Sequence, residues 1–351
     1  MTRALKLAAR GMYTTTPNPR VGCVLVRDGA VIGEGWHERA GEPHAEAHAL
    51  AAAGAASRGA TAYVTLEPCS HHGRTPPCAN ALIEAGVKRV VCAMQDPNPL
   101  VAGKGLAALR AAGIETEPGL LEDEARELNI GFVSRMTRGR PWVRMKIAAS
   151  LDGRTALANG RSQWITGEAA RRDGHKWRAR ACALVTGIGT VREDDPRLTV
   201  RGVRTSRQPL RVVVDSRLET PHHARIVAPG TLIATATDDA SRSAALRERG
   251  AEVVVVSHGP KVDLRALLDE LQRRALNEVH VEGGSGLNGA LLQAGLVDEL
   301  LLYVAPLVLG NAARGMFALP VLEELQGARR FRLHEVKRVG EDLRIIARAE
   351  V

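Results

Sequence analysis

The alternation of apolar and polar positions divides the chain into short, readable elements. MTRALKLAARGMYTTTP opens it as an amphipathic helix with Ala4, Leu5, Ala8 and Ala9 on one face. VGCVLVRDGAVIGEGWH reads as two strands turning at Asp28-Gly29, a strong hairpin signal. EAHALAAAG is a helix closed by Gly54. TAYVTLEP and RVVCAM are β-branched runs of strand type. ANALIEAG and GLAALRAAG are helices ended by glycine, and LEDEARELNIGF is a further helix. This alternation predicts a self-contained α/β unit.

The basic, polar, Gly- and Pro-bearing segment SRMTRGRP has the composition of a linker and separates residues 1–138 from 139–351. A second α/β pattern follows. WVRMKIAAS, ALVTG, LRVVVD, TLIATA, EVVVVS, EVHVE and ELLLYVAPLV read as strands, with helices between several of them. RFRLHEVKRV and DLRIIARAEV read as a closing antiparallel pair, turning near Gly340-Glu341. No run of about 18 apolar residues occurs, so no membrane span is predicted.

Three elements of the first half carry metal chemistry: His44-Ala45-Glu46, Pro68-Cys69 and Cys78. A catalytic zinc takes three protein ligands and keeps the fourth place for water. His44, Cys69 and Cys78 supply that set, and Glu46 is placed to move protons without binding the metal. This is the H-x-E and P-C…C order of zinc deaminases, except that eight residues, SHHGRTPP, separate the cysteines instead of two. Cys78 is then expected to open the following helix. A closed structural site would need a fourth ligand, and Cys92 sits in an apolar strand pattern. His48 reads as packing or support, because H-A-E-A-H lacks the H-E-x-x-H spacing of zinc proteases.

The second half offers glycines instead. EVHVEGGSGLNGALLQAG is a strand, a turn and a helix in which Gly284, Gly286 and Gly289 spell G-x-G-x-x-G. Such glycines admit a phosphate to a helix N-terminus, but alone they are a weak dinucleotide signal. TGIGTVREDDPRLTVR reads as a second glycine-bearing turn, with Thr190, Asp194, Arg197 and Arg201 suited to phosphate or simply solvated.

Charge and cysteine content narrow the picture. The net charge of +9 comes from scattered arginines rather than a basic run, and aromatics are 3 %. That suits phosphorylated small molecules better than nucleic acid. The odd count of five cysteines and the absence of an export signal argue against disulfides and for a cytoplasmic location. Cys23, Cys92 and Cys182 read as buried small hydrophobes. On the residues alone two alternatives stay open: a deaminase of nucleic-acid bases, and a non-catalytic regulator stapled by zinc.

TPNPRVGCVLV, GEPHAEAHAL, YVTLEPCSHHGRTPPC, MQDPNPLVAGKG, KIAASLDGRTA, SQWITG, GTVREDDPRLTVR and VEGGSGLNGALLQAGLVDEL together resemble the bifunctional riboflavin-biosynthesis deaminase/reductase family over nearly the whole chain, long Cys-Cys insert included. The resemblance implies an N-terminal cytidine-deaminase-like three-layer α/β/α domain and a C-terminal dihydrofolate-reductase-like α/β domain. It implies Zn2+ on His44, Cys69 and Cys78, with Glu46 catalytic, deaminating a diamino-pyrimidinone ribosylamino 5′-phosphate. Asn18, His37, Ser70, His71, Arg74 and Asn98 match substrate positions there. In the second domain NADPH would reduce the ribosyl to the ribityl chain. Lys146, Ser162, Arg178, Leu198, Arg201 and Glu282 match substrate positions; Ala148, Trp164, Thr190, Asp194, Ser216, Gly284, Ser285 and Gly286 match cofactor positions. A homo-oligomer, dimer or tetramer, is expected, with neither nucleic acid nor membrane as partner.

Overall fold

The computed structural model describes residues 1–70 and 77–350. The chain forms two compact units, Met1–Gly139 and Arg140–Val351. The first runs α1 (Thr2–Ala8), β1 (Gly22–Arg27), β2 (Ala30–Trp36), α2 (Ala45–Ala53), β3 (Thr61–Val64), α3 (Cys78–Glu84), β4 (Arg89–Cys92), α4 (Lys104–Ala111), β5 (Glu115–Pro118), α5 (Glu122–Leu128) and α6 (Ile130–Arg138). Its sheet has the order β2-β1-β3-β4-β5. β1 is antiparallel to both neighbours, while β3, β4 and β5 are parallel.

The β1–β2 turn places Asp28 at φ 52° and Gly29 at φ 76°, the paired positive values that a two-residue hairpin requires. Alternate residues of β1 face opposite cores. Cys23 and Leu25 pack with α2, α3 and α4 on one side, and Val24 packs with α1 on the other. A further cluster of Leu66, Met94, Ala125 and Phe132 seats α5 and α6. The result is an α/β/α sandwich. Gly35 lets α2 lie close against β2, since a Cβ there would stand 2.6 Å from the Ala45 carbonyl.

Three details differ from the sequence reading. On α1 it is Leu7, not Ala9, that joins the buried face; Ala9 is exposed. LEDEARELNIGF is not one helix but parts of two, broken at Asn129. The Asn129 side chain is engaged elsewhere, accepting from the Arg20 N–H at 2.8 Å and donating to the Arg20 carbonyl at 3.0 Å. Residues 134–138, read as linker, are the last turns of α6, which stops at Gly139 with φ 65°.

The second unit runs β6 (Trp142–Ser150), β7 (Arg154–Ala156), α7 (Glu168–Arg180), β8 (Ala183–Gly187), α8 (Ile188–Asp194), β9 (Leu210–Val214), β10 (Thr231–Thr235), α9 (Ala240–Glu248), β11 (Glu252–Val255), α10 (Leu264–Arg273), β12 (Glu278–Val281), α11 (Ser285–Gln293), β13 (Glu299–Ala305), β14 (Arg314–Gly315), β15 (Phe331–Val339) and β16 (Asp342–Ala349). Nine strands form one sheet in the order β11-β10-β9-β8-β12-β6-β13-β16-β15. It is parallel from β11 to β13 and antiparallel beyond. The apolar-rich runs LRVVV and TLIAT suit parallel strands covered on both faces: Val212, Leu232 and Ala234 face one core, Val213 and Ile233 the other. α10 shows how a helix is fixed here. Asp263 accepts the N–H groups of Arg265 and Ala266, and Leu267, Leu268 and Leu271 are buried at helical spacing. Each such leucine contributes about 1.5–3 kcal/mol. Among the described residues no helix is long and apolar enough to cross a membrane.

Candidate functional site

In the first unit the metal-type donors converge because two helices begin at the same place. His44 is the N-cap of α2, and Cys78 is the first residue of α3. Cys69 lies on the segment that leaves β3 and receives the first amides of α3: the Cys78 N–H reaches its Sγ at 3.4 Å and the Ala79 N–H its carbonyl at 3.1 Å. His44 Nδ1 stands 3.2 Å from Cys78 Sγ and 3.7 Å from Cys69 Sγ. A tetrahedral Zn2+ with ordinary Zn–S and Zn–N lengths separates nitrogen from sulfur by about 3.5 Å. The two measured separations straddle that value, so the three donors fit the ion.

The electrostatics agree. The Cys78 hydrogen bond pushes the Cys69 thiol down to about 4 against its burial, and His44 assists. The same bond and burial push Cys78 up. The donors thus share protons in close contact, and a cation would replace those protons. Glu46, in the first turn of α2, is buried, and burial, followed by the Cys69 charge, pushes its carboxyl up to about 7. His48 is not among the clustered donors.

Around this cluster His37 packs edge-on against His44 with ring centroids 5.3 Å apart. Its Nδ1 faces the Pro43 carbonyl at 3.1 Å, which makes Nδ1 the protonated nitrogen and Nε2 the acceptor for Asn18 Nδ2, also at 3.1 Å. Burial keeps His37 below the ordinary histidine value. Ser70 follows Cys69 directly, while His71 and Arg74 lie outside the described residues. Asn98 sits in a turn, its N–H on Asp96 Oδ1 at 2.8 Å and its Oδ1 accepting from the Leu100 N–H at 3.1 Å.

That turn is fixed by Glu67, which sequence reasoning passed over. This buried carboxylate accepts four backbone N–H groups, from Asp96, Gly103, Gly105 and Leu106, at 2.9–3.2 Å. It thereby joins the Asn98 segment and the start of α4 to the residues just before Cys69. Gly105 permits the approach, since a Cβ there would stand 1.9 Å from the Pro68 carbonyl. The signal was a lone acid in the apolar run YVTLEP, a carboxylate that burial obliges to find donors.

In the second unit, residues at or just beyond the carboxyl ends of β8, β9 and β12 open onto two adjoining cavities of about 620 and 710 Å³. Such edges are where α/β sheets take ligands. Lys146, Arg178, Leu198, Arg201 and Glu282 line the first. Ala148, Ser162, Gly284, Ser285 and Gly286 line the second, and Trp164, Thr190 and Asp194 are wall to both. Arg178 donates to both Glu282 oxygens, at 2.5 and 2.8 Å, in a bidentate pair. Burial pushes the Glu282 carboxyl up, but Arg178, His280 and Lys146 overcome it and hold it well below the usual range. Burial lowers Lys146, with Glu282 opposing. His175 is driven down to about 4 by burial and by the Arg178 and Arg201 cations. Its Nδ1 accepts the Arg201 N–H at 3.2 Å.

The glycines play unequal parts. Gly284 and Gly286 line the larger cavity at the N-terminus of α11, whereas Gly289 serves packing, a Cβ there standing 2.1 Å from the Ala318 carbonyl. Of the segment read as a glycine-bearing turn, Ile188–Asp194 form helix α8, capped at Gly187, and the rest is non-helical. Ser216 is not among the residues lining either cavity; its Oγ accepts from the Val262 N–H at 2.9 Å. Arg171, His175, Arg225 and Lys261 were not anticipated and do line these cavities. Arg171 and His175 share α7 with Arg178, whereas Arg225 and Lys261 come from loops.

A metal-type donor set at paired helix starts shares one chain with a twin cleft at a glycine turn, and the families that the two halves match make this a deaminase fused to a reductase. Residues 1–94 match the family described as the cytidine and deoxycytidylate deaminase zinc-binding region, and residues 141–345 match the RibD C-terminal domain. The riboflavin biosynthesis protein RibD of Escherichia coli K12 is 52 % identical over 98 % of this chain and 96 % of its own length. That of Aquifex aeolicus is 42 % identical over 98 % and 96 %. Among solved structures, Acinetobacter baumannii RibD superposes with a TM-score of 0.93 at 46 % identity, covering 100 % of this chain and 98 % of that one. A Thermotoga maritima diaminohydroxyphosphoribosylaminopyrimidine deaminase/5-amino-6-(5-phosphoribosylamino)uracil reductase gives 0.89 at 33 % identity, covering 100 % and 97 %. The chain belongs to the RibD family. It is a bifunctional deaminase and reductase of riboflavin biosynthesis acting on a small pyrimidine, with a zinc-binding deaminase domain.

Proposed function

We propose that residues 1–138 hydrolyse the 2-amino group of 2,5-diamino-6-ribosylamino-4(3H)-pyrimidinone 5′-phosphate, and that residues 139–351 reduce the resulting ribosylamino uracil phosphate to its ribityl form with NADPH. The carrying observation is the meeting of His44, Cys69 and Cys78 beside the buried Glu46. Zinc held by those three residues leaves one place for water and brings its pKa near neutrality. With the metal in place Glu46, buried beside the three donors, would take a proton from that water and pass it to the departing amino nitrogen, which would leave as ammonia. Asn18, His37, Ser70, His71, Arg74 and Asn98 hold the pyrimidine and its phosphate. The fixed tautomer of His37 leaves Asn18 oriented before the substrate arrives.

In the second unit Lys146, Ser162, Arg178, Leu198, Arg201 and Glu282 hold the ribosyl phosphate. Ala148, Trp164, Thr190, Asp194, Gly284, Ser285 and Gly286 hold the dinucleotide, its pyrophosphate at the N-terminus of α11; Ser216 supports that wall from behind. NADPH supplies the hydride. The chain's part is to place the two molecules in adjoining cavities and keep water away. The exposed apolar residues Leu333 and Val336 on edge strand β15 support a further expectation, assembly of two or four chains in the cytoplasm.

The test is a coupled assay on metal-analysed protein that follows ammonia release and loss of NADPH absorbance separately. Both signals, with ammonia lost on zinc removal, are expected. Ammonia without NADPH oxidation would overturn the assignment of the second unit.

A further inference from the structure

Resting on the reading of the 710 Å³ cavity as a dinucleotide site, we propose that Lys261 recognises the 2′-phosphate of the adenosine ribose and so selects NADPH over NADH. Lys146, Arg171, Arg178, Lys261 and Arg314 are the cations that line this cavity. Lys146 and Arg178 face Glu282. Arg171 lies over the Trp164 ring at 4.6 Å, and Arg314 is paired with Glu193 at 2.8 Å. Among the described residues Lys261 has no such engagement; it is exposed on the loop between β11 and α10.

Its position follows from the strand order. Gly284–Gly286 sit after β12, whose neighbours in the sheet are β8 and then β9. Two strand spacings, about 10 Å, therefore separate the glycine turn from Val214 at the end of β9. Val214 and Lys261 both line the cavity, so Lys261 lies at the end remote from the pyrophosphate. The adenosine half of a dinucleotide lies across that span.

The acid that NADH enzymes use for the ribose diol belongs at such a strand end. Here Asp215 follows β9 directly, yet it is fully buried, with Oδ2 accepting the Thr220 N–H at 2.6 Å and the Thr220 hydroxyl at 2.7 Å. The lining carboxylates Glu193 and Asp194 come from α8 and Glu282 from the end of β12; none comes from the segments that bear Val214 and Lys261. At the ribose end the wall is thus cationic, which suits a phosphate monoester and gives a 2′-hydroxyl no acceptor.

The loop is also held in place. The Val262 N–H donates to Ser216 Oγ at 2.9 Å, and Val262 is buried. Asp263 is the N-cap of α10. The backbone just beyond Lys261 is therefore pinned while its ammonium stays in solvent. This gives Ser216 an anchoring part.

Calorimetric titration of the full chain with 2′,5′-ADP and with 5′-ADP tests the assignment directly, without turnover. The unaltered protein is expected to prefer 2′,5′-ADP. Lys261→Gln should weaken 2′,5′-ADP by roughly ten- to a hundredfold and leave 5′-ADP unchanged. Lys261→Glu should weaken it further and narrow the gap between NADPH and NADH in parallel titrations. If the unaltered protein discriminates and Lys261→Gln still does so equally well, or loses both ligands alike, the 2′-phosphate is held elsewhere and the proposal falls. If the unaltered protein binds neither NADPH nor 2′,5′-ADP, the dinucleotide reading falls first and takes the proposal with it.

Discussion

The two units solve the same problem, holding a small polar molecule, by opposite means. The deaminase site is compact in sequence: His44 and Glu46 share one helix start, and Cys69 and Cys78 flank the next. The cavities of the second unit draw on residues from Lys146 to Arg314, contributed by many strands, helices and loops. A metal needs few donors at fixed separations, which a short motif can encode. A dinucleotide and a sugar phosphate need extended walls, which only the folded sheet can assemble. The first kind of site should fail abruptly on single changes, and the second by degrees.

The largest effect expected is that of chelation. Removing the metal should abolish ammonia release while NADPH titration of the same sample stays unchanged. Loss of NADPH binding along with zinc would overturn the expectation that the second unit holds the dinucleotide without the metal. Next comes Glu46→Gln, which should keep zinc by metal analysis and lower deamination by about a hundred- to ten-thousandfold. A near-normal rate would remove Glu46 from proton transfer. Arg178→Gln should then lower the reductase rate by roughly a hundredfold, because the bidentate partner of buried Glu282 is lost. Deamination in the same preparation serves as the control.

Gly105→Ala sharpens the comparison differently. The new Cβ meets the Pro68 carbonyl, so α4 must withdraw from the Cys69 segment. Thermal melting should show the first unit destabilised by about 1–3 kcal/mol, with looser zinc. The smallest effect concerns His175. Its folded value, about 4, lies below its unfolded one, so the unfolded chain binds the extra proton first. The folded state therefore loses stability as pH falls from about 6.5 to about 4, and is unaffected above that window. A His175→Asn chain should show a shallower decline in melting temperature across this range; identical slopes would mean that His175 does not contribute.

The same contrast explains what could be read in advance. Asp28-Gly29 announced its hairpin, and the H-x-E and P-C pairs announced the donor cluster, because each is local chemistry. β5 was missed because Glu-Thr-Glu-Pro carries no apolar alternation; it pairs with β4 along its backbone. The break at Asn129 was missed because its cause, the Arg20 backbone, lies 109 residues away. Glu67 looked like one more polar residue in a strand run until the loop it binds was in place. Lys261, Arg171 and Arg225 belong to a surface rather than a motif. The family resemblance supplied much of the second site's lining, which periodicity and spacing alone did not.

The common wall of the two cavities has a thermodynamic consequence. Trp164, Thr190 and Asp194 border both spaces, as do Lys146 and Glu282. A molecule settling in one space alters the surface against which the other must settle. By linkage, whatever factor the nucleotide adds to the affinity for the sugar phosphate, the sugar phosphate must return to the nucleotide. In the proposed seating, with the ring of the dinucleotide against this wall, exchange of the oxidised for the reduced form would become a lever on product release.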